Sequence, residues 1–273
     1  MFSIIALNLY IFSINMKAIN KHFFIQNDPD KLNETPSLFI QHCSMFSSIT
    51  AENLYVWDIL QSQFCYIKAD NLLLGSFSVE DAIREGCDFY LKIVYPDDLS
   101  LCREMGNTIL QYLKKFKEKR EEIDYFTFTF RLQHNFLSSS SRFLQQMVSS
   151  RIKPMWEGDK LRYFICSVGN STIREAGNLR MYNRDRLTYE EYNFICKRWK
   201  QQRKMTLTKR ESVILMLAQQ GKNYREIAYD LCKGHNTIRN QIKSLFSKLK
   251  VHSMQEALES AHNHCIIYLN EKL

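Results

Sequence analysis

Asn236, Arg239, Asn240 and Lys243 are hydrogen-bond donors and cations spaced so that a helix would carry them along one side. Amide and guanidinium groups in such a row can read base edges, and an ammonium can hold a phosphate. Ser247 and Lys250 continue the same side. The opposite side is apolar: Ile238, Ile242, Leu245, Phe246 and Leu249 recur at the helical period. The pattern predicts a helix from about His235 to Leu249 with one buried stripe and one wet, cationic face. A solvated charge run is the ordinary fate of such a face, so the surrounding charge must decide between the two readings.

From Lys200 to Lys250 there are twelve Lys or Arg against three acids (Glu211, Glu226 and Asp230), a surplus of nine. The whole chain carries a formal charge of +8, which leaves the rest near −1. All the excess positive charge therefore sits on this module, as expected where one end of a protein meets phosphates.

The elements that must position this helix carry their own start signals. Thr208 stands three residues before Glu211, Asn223 three before Glu226, and Ser253 three before Glu256. Each pair can satisfy exposed N–H groups at a helix start with a side-chain oxygen and a returning carboxylate. Gly221 falls where a left-handed residue ends the first helix, and Cys232-Lys233-Gly234 makes the turn before the third. The segment reads as four short helices containing a helix-turn-helix.

These residues resemble the LuxR-type helix-turn-helix domain of bacterial transcription regulators, over Leu207 to about Ala261. The matches are Leu207-Thr208-Lys209-Arg210-Glu211, Leu217-Ala218-Gln219-Gln220-Gly221, Glu226-Ile227-Ala228 with Leu231, Thr237-Ile238-Arg239-Asn240, Lys248-Leu249 with Val251, and Glu256-Ala257. The resemblance implies that the third helix enters the major groove of double-stranded DNA. Arg239, Asn240 and Lys243 then fall on positions that reach base edges or nearby phosphates, and Thr237 and Lys248 on backbone-contact positions. It also implies a homodimer, with the helix from Ser253 to about Cys265 pairing subunits through Ala257, Leu258 and Ala261. Two residues depart from the family pattern. Gly234 stands where a capping Ser is usual, and Gln241 where a His is usual. A Gly in place of a Ser cap costs only a few tenths of a kcal/mol, so the fold is expected to survive.

At 273 residues and 45% hydrophobic composition the chain has room for two globular domains with their own cores. Its eight cysteines include no Cys-x-x-Cys pair, which argues against a zinc site or a thioredoxin-like motif and for reduced cytoplasmic thiols. His262, His264 and Cys265 cluster near the end, a grouping read as incidental; no metal is expected. Residues Met1 to Asn15 are largely apolar but too short to span a bilayer and lack the positive start of a secretory signal. Met16, directly before Lys17, is read as the natural start, with a packed N-terminal strand or helix as the alternative. No membrane association is expected.

From about residue 52 to 171 the period changes. Leu54 to Leu60 and Gln63 to Lys68 read as strands, and helical stretches follow between Asn71 and Arg120. The longest opens at Asp97-Asp98, one of which is expected to cap it. Phe126, Phe128, Phe130 and Leu132 alternate with Thr127, Thr129, Arg131 and Gln133, the signature of a strand with one buried face. Strands at about Arg142 to Pro154 and Leu161 to Val168 flank a hairpin turn at Glu157-Gly158-Asp159.

Two strands, a helical crossover and three antiparallel strands resemble the PAS fold. Val56-Trp57-Asp58-Ile59, Leu73-Leu74-Gly75 with Val79-Glu80-Asp81, and Tyr95-Pro96-Asp97-Asp98 carry the resemblance. It implies an α+β sensor domain, an antiparallel sheet with a helical crossover, that holds a small-molecule ligand or pairs subunits with nothing bound. The phenylalanine stripe reads as core rather than pocket wall. Arg142-Phe143-Leu144-Gln145 resembles part of a flavin-binding sequence, but the reactive cysteine that would precede it is missing. His134 is on a strand where a haem ligand would be expected on the helical side. No cofactor is expected.

The expected organisation is an N-terminal leader and helical segment (1–51), a PAS-like sensor domain (52–171), a linker (172–205) and an all-α four-helix DNA-binding domain (206–273). Tyr192, Ile195, Cys196 and Trp199 line one side of an amphipathic helix expected in the linker between Tyr189 and Trp199. A cytoplasmic transcription regulator is the leading reading. The alternatives are a small-molecule-binding enzyme, which no Gly-rich phosphate loop, metal triad or Ser/His/Asp set supports, and a protein-interaction module with a non-DNA role for the C-terminal domain.

Overall fold

The computed structural model describes residues 36–50, 53–134, 144–184 and 188–263. The N-terminal fifteen residues and Met16 lie outside these, as do Arg142, Phe143, His264 and Cys265. The chain divides into two compact units, Met1–Gln202 and Arg203–Leu273.

The described part of the first unit begins with helix α1 (Pro36–Ser48), followed by β1 (Asn53–Asp58) and β2 (Gln63–Lys68). Helices α2 (Asn71–Leu74), α3 (Val79–Glu85), α4 (Phe89–Ile93) and α5 (Leu99–Lys115) make the crossover. Six strands complete it: β3 (Ile123–His134), β4 (Leu144–Glu157), β5 (Lys160–Asn170), β6 (Gly177–Asn183), β7 (Thr188–Asn193) and β8 (Arg198–Arg203). They form one eight-stranded sheet in the order β2-β1-β5-β4-β3-β6-β7-β8. The strand pairs from β2 through to β7 are antiparallel.

Alternation places the core. On β3, Phe126, Phe130 and Leu132 are buried and Phe128 is partly buried, and they face Met105, Ile109 and Leu113 of α5 in one apolar cluster. The phenylalanine stripe is thus core. Thr129, on the other face, is buried too, because its hydroxyl donates to the carbonyls of Glu175 (2.6 Å) and Gly177 (3.2 Å), which bring β6 alongside. The opposite face of β1, β2 and β5 is covered at one end by α1, where Phe39 stacks on Tyr163 with ring centroids 5.1 Å apart. Gly158 takes φ +57°, the left-handed conformation a tight hairpin needs, between β4 and β5.

Two expectations change. The first concerns residues 189–199, which form no amphipathic helix but a β7–β8 hairpin that extends the sheet. Asn193 reverses the chain: its side-chain oxygen accepts from the N–H groups of Ile195 (2.9 Å) and Cys196 (3.0 Å), a local bond that competes with helix. Lys197 then takes φ +53°. Tyr192 and Trp199, which share a helical spacing, instead meet across the hairpin with centroids 5.2 Å apart, and Trp199 packs edge-on to Tyr112 of α5 at 4.8 Å. Ile195, placed on the apolar side of the expected helix, is 95% exposed at the turn.

The second concerns the start of α5. Neither Asp97 nor Asp98 caps it: Asp98 is the N-cap residue, but in helical backbone geometry and with no side-chain capping bond. Its buried carboxylate turns to the sheet instead and accepts from Arg131 N at 2.8 Å and Arg131 Nε at 3.0 Å, so the helix is tied to β3. Tryptophan fluorescence follows this unit alone, since Trp57, Trp156 and Trp199 all precede residue 203. Asp98→Ala leaves a buried N–H and a half-buried guanidinium unpaired and is expected to cost about 2–3 kcal/mol in urea melts read by that signal. Arg84→Ala removes an exposed partner of Asp81 and should leave the midpoint near the native one. Equal midpoints for the two variants would dismiss the Asp98 tie.

Candidate nucleic-acid interface

The described residues of the second unit form four helices: α6 (Lys209–Gln219), α7 (Tyr224–Asp230), α8 (His235–Leu249) and α9 (Met254–Asn263). Two of the three expected capping boxes close as read. Thr208 Oγ1 accepts from Glu211 N at 3.3 Å while Glu211 returns to Thr208 N at 2.7 Å. Asn223 Oδ1 accepts from Glu226 N at 3.2 Å while Glu226 returns to Asn223 N at 2.7 Å. At the third, Ser253 Oγ accepts from Glu256 N at 3.1 Å, and the Glu256 carboxylate reaches back to His252 N at 2.9 Å.

Between α7 and α8 the chain turns on Cys232, at φ +49°, a conformation more usual for Gly or Asn. The N–H of Lys233 donates to Ala228 O at 2.9 Å and that of Cys232 to Tyr229 O at 3.0 Å, so the last carbonyls of α7 are satisfied. Gly234 opens α8 in extended geometry without a side-chain cap; a Cβ there would meet nothing closer than Thr237 Oγ1 at 3.7 Å. The departure from the usual Ser therefore leaves the backbone undisturbed.

Ile238, Ile242, Leu245 and Leu249 of α8 are buried against Ile214 and Leu215 of α6 and Ile227 and Ala228 of α7. That burial turns Asn236, Thr237, Arg239, Asn240 and Lys243 outward, and all five are exposed. Ser247 and Lys250 are exposed with them, while Phe246 is only partly buried. Gln241 sits at the border, half-buried, with Oε1 shielded from solvent and without a hydrogen-bond partner among the described residues.

Lys248 is placed differently from the other four sequence-derived contact residues. It is half-buried, and its Nζ donates to Glu211 Oε2 at 2.7 Å, linking the C-terminal turn of α8 to the capping box of α6. No spacing rule reveals this pair, since its members are 37 residues apart in sequence. Nor does the third acid stay free: Asp230 pairs with Lys222. Glu211, Glu226 and Asp230 are thus all engaged locally, whereas Arg239, Lys243 and Lys250 have no ion-pair partner among the described residues. None of these three carboxylates forms an ion pair with a cation on the exposed face of α8.

The α9 expectation changes for two of its three residues. Ala257 and Ala261 are fully buried in the core of their own unit, and Leu258 packs against it. Gln255 and Glu259 are exposed, and of the three residues expected to pair subunits only Leu258 keeps part of its side chain open to solvent.

Residues 205–261 match the family model for bacterial regulatory proteins of the luxR family. The C-terminal unit is a LuxR-type helix-turn-helix domain. No curated protein sequence matches the chain significantly. Among solved structures, a Vibrio cholerae VqmA–ligand–DNA complex is 17% identical, covering 82% of this chain and 87% of that one, with a TM-score of 0.30. A Vibrio cholerae VqmA dimer without target DNA gives 17% identity, 83% and 88% coverage and a TM-score of 0.30. A phage VqmA–DPO complex gives 11%, 87% and 93% coverage and 0.26. At these scores the likeness fixes neither the fold nor the ligand of this chain.

In the first unit a cavity of about 10 Å³, room for one water at most, lies between Tyr55, Phe64, Leu73, Phe89, Tyr90 and Ile93. The Tyr90 hydroxyl donates to that of Tyr55 at 2.5 Å, and burial pushes both phenols well above their ordinary range. Among the described residues no group of His, Cys, Asp and Glu is arranged to hold a metal. No described helix is long and apolar enough to cross a membrane.

The Glu211–Lys248 pair has a titration signature. Partial burial would raise the Glu211 carboxyl, but the Lys248 ammonium and the Thr208 N–H outweigh it and hold the pKa below the ordinary 4.5. A depressed folded-state value stabilises the domain above the unfolded pKa, and that stability is lost as pH falls through the folded one. Replacing Lys248→Met should therefore move the Glu211 titration, followed by carboxyl NMR shifts, upward and flatten the acid limb of domain unfolding. An unmoved midpoint would show that the pair is absent in solution.

Proposed function

We propose that this protein is a cytoplasmic, non-enzymatic transcription regulator that binds double-stranded DNA as a homodimer, with α8 in the major groove. The observation that carries the reading is the exposed face of α8: Arg239, Lys243 and Lys250 face solvent without an ion-pair partner among the described residues, while Glu211, Glu226 and Asp230 are occupied locally. Arg239, Asn240 and Lys243 are assigned to base edges and adjacent phosphates, and Thr237 to the sugar-phosphate backbone. Lys248 has two roles in this reading. One of its three N–H donors holds Glu211, and its charge still adds to the phosphate attraction at the end of α8.

The first unit acts as the sensor, in a PAS-like arrangement supported by the strand order β2-β1-β5-β4-β3 and the helical crossover between β2 and β3. Its ligand is a small molecule taken between sheet and helices, where Tyr55 and Tyr90 supply a polar pair in an otherwise apolar wall. With a cavity of about 10 Å³, ligand entry requires α2 to α4 to move outward. Native mass spectrometry of the purified protein would reveal a retained ligand as added mass.

The DNA reading divides by substitution. Arg239→Ala should cost roughly 1–3 kcal/mol at the preferred operator and flatten the preference at one base position, as for a lost bidentate contact. Anisotropy titrations on selected and random duplexes check this. Equal losses on both would make Arg239 a phosphate clamp, and no binding of the native chain to any duplex would end the reading itself.

A further inference from the structure

We propose that β8, one of the two edge strands of the sheet, is a second contact surface for duplex DNA that grips phosphates outside the half-site read by α8, without regard to sequence. The inference rests on the DNA-binding reading above and extends it to the first unit. β8 ends the strand order, so among the described residues one of its edges has no neighbouring strand. Arg198, Lys200 and Arg203 project from it exposed, and none has an ion-pair partner among the described residues. From Phe194 to Arg210 the chain has seven Lys or Arg and no acid. The acids of the adjoining strand are occupied elsewhere. Glu190 accepts from the Tyr112 hydroxyl at 3.1 Å, and Glu191 lies 3.3 Å from Arg180 Nε. Lys197, at the hairpin turn, is paired with Glu104 and is left out of the surface.

Positive side chains on an edge strand can also serve only to prevent edge-to-edge pairing. Covalent geometry favours DNA as the occupant. Five residues, Lys204 to Thr208, lie between Arg203 and the first residue of α6, a span of roughly 20 Å at full extension. Duplex DNA presents a negative charge about every 1.7 Å along its axis. Whenever the helix-turn-helix is seated in a groove, the end of β8 is tethered within a few base pairs of flanking phosphates, at high effective concentration. An anionic membrane or an acidic protein has no such constraint holding it near this strand.

The test uses the full chain with Arg198→Gln, Lys200→Gln and Arg203→Gln combined, titrated against a long random-sequence duplex over a salt series. Loss of three phosphate contacts should lower the slope of log affinity against log salt by about two to three units, with affinity falling alike on all sequences. The swap Arg198→Lys, Lys200→Arg and Arg203→Lys should keep the native slope, and unchanged tryptophan emission in both variants certifies the fold. A Gln variant that binds with the native slope overturns the inference while leaving the α8 reading intact, and so does one whose only change is self-association or loss of binding to phosphatidylserine vesicles. If the native chain binds no duplex, the α8 reading fails first and this inference with it.

Discussion

The rotation of α8 about its own axis is fixed by four buried aliphatic side chains, and the chemistry of the C-terminal unit depends on that one constraint. Ile238, Ile242, Leu245 and Leu249 are each at most 7% exposed. Each such burial is worth about 1.5–3 kcal/mol relative to exposure, so turning the helix by one residue would cost several of these at once. Arg239, Asn240 and Lys243 carry no positional restraint of their own. They are aimed because the residues between them are held, and the capping boxes at α6 and α7 hold the helices that receive them.

Electrostatics then works by subtraction. The module has a large surplus of cations, but a surplus gives a directed potential only if its acids do not neutralise the useful face. Glu211 is held by Thr208 N–H and Lys248, Glu226 by Asn223 N–H, and Asp230 by Lys222, so each carboxylate is used where the backbone or a helix junction needs one. Lys248 is the cation diverted for this purpose. In a half-exposed setting the pair adds modestly to stability, and its larger effect is to keep the α6 carboxylate away from the open face of α8.

What could be read in the sequence was whatever repeats at a short period or sits within four residues of its partner. The alternation of Phe126 to Gln133, the stripe of α8 and the Thr208–Glu211 and Asn223–Glu226 boxes are of this kind. Asp98 is not legible in this way, because a cap and a tie to a strand look alike from one end; Arg131, its partner, is 33 residues away. Residues 189–199 failed for a different reason. Tyr192, Ile195, Cys196 and Trp199 have helical spacing, yet two N–H bonds to Asn193 and a left-handed Lys197 settle the chain as a hairpin before that spacing can matter. Ala257 and Ala261 show the limit of a small apolar residue as a signal, since nothing in its type separates a face turned to its own core from one turned to a partner.

The hairpin changes what lies between the two units. A helical linker packed on neither would leave the first unit free to shift without consequence for residue 206. Instead Trp199 is wedged against Tyr112 and Tyr192, and Tyr112 is a core residue of α5 that also touches Phe126 and Phe116. The sheet, the long helix and β8 thus share one aromatic cluster that ends four residues before Arg203. Interiors packed at this density move as blocks rather than by gradual deformation. A displacement of α5 that changed the seat of Tyr112 would therefore be felt at β8, and only the five residues from Lys204 to Thr208 stand between that strand and the first helix of the DNA-binding domain.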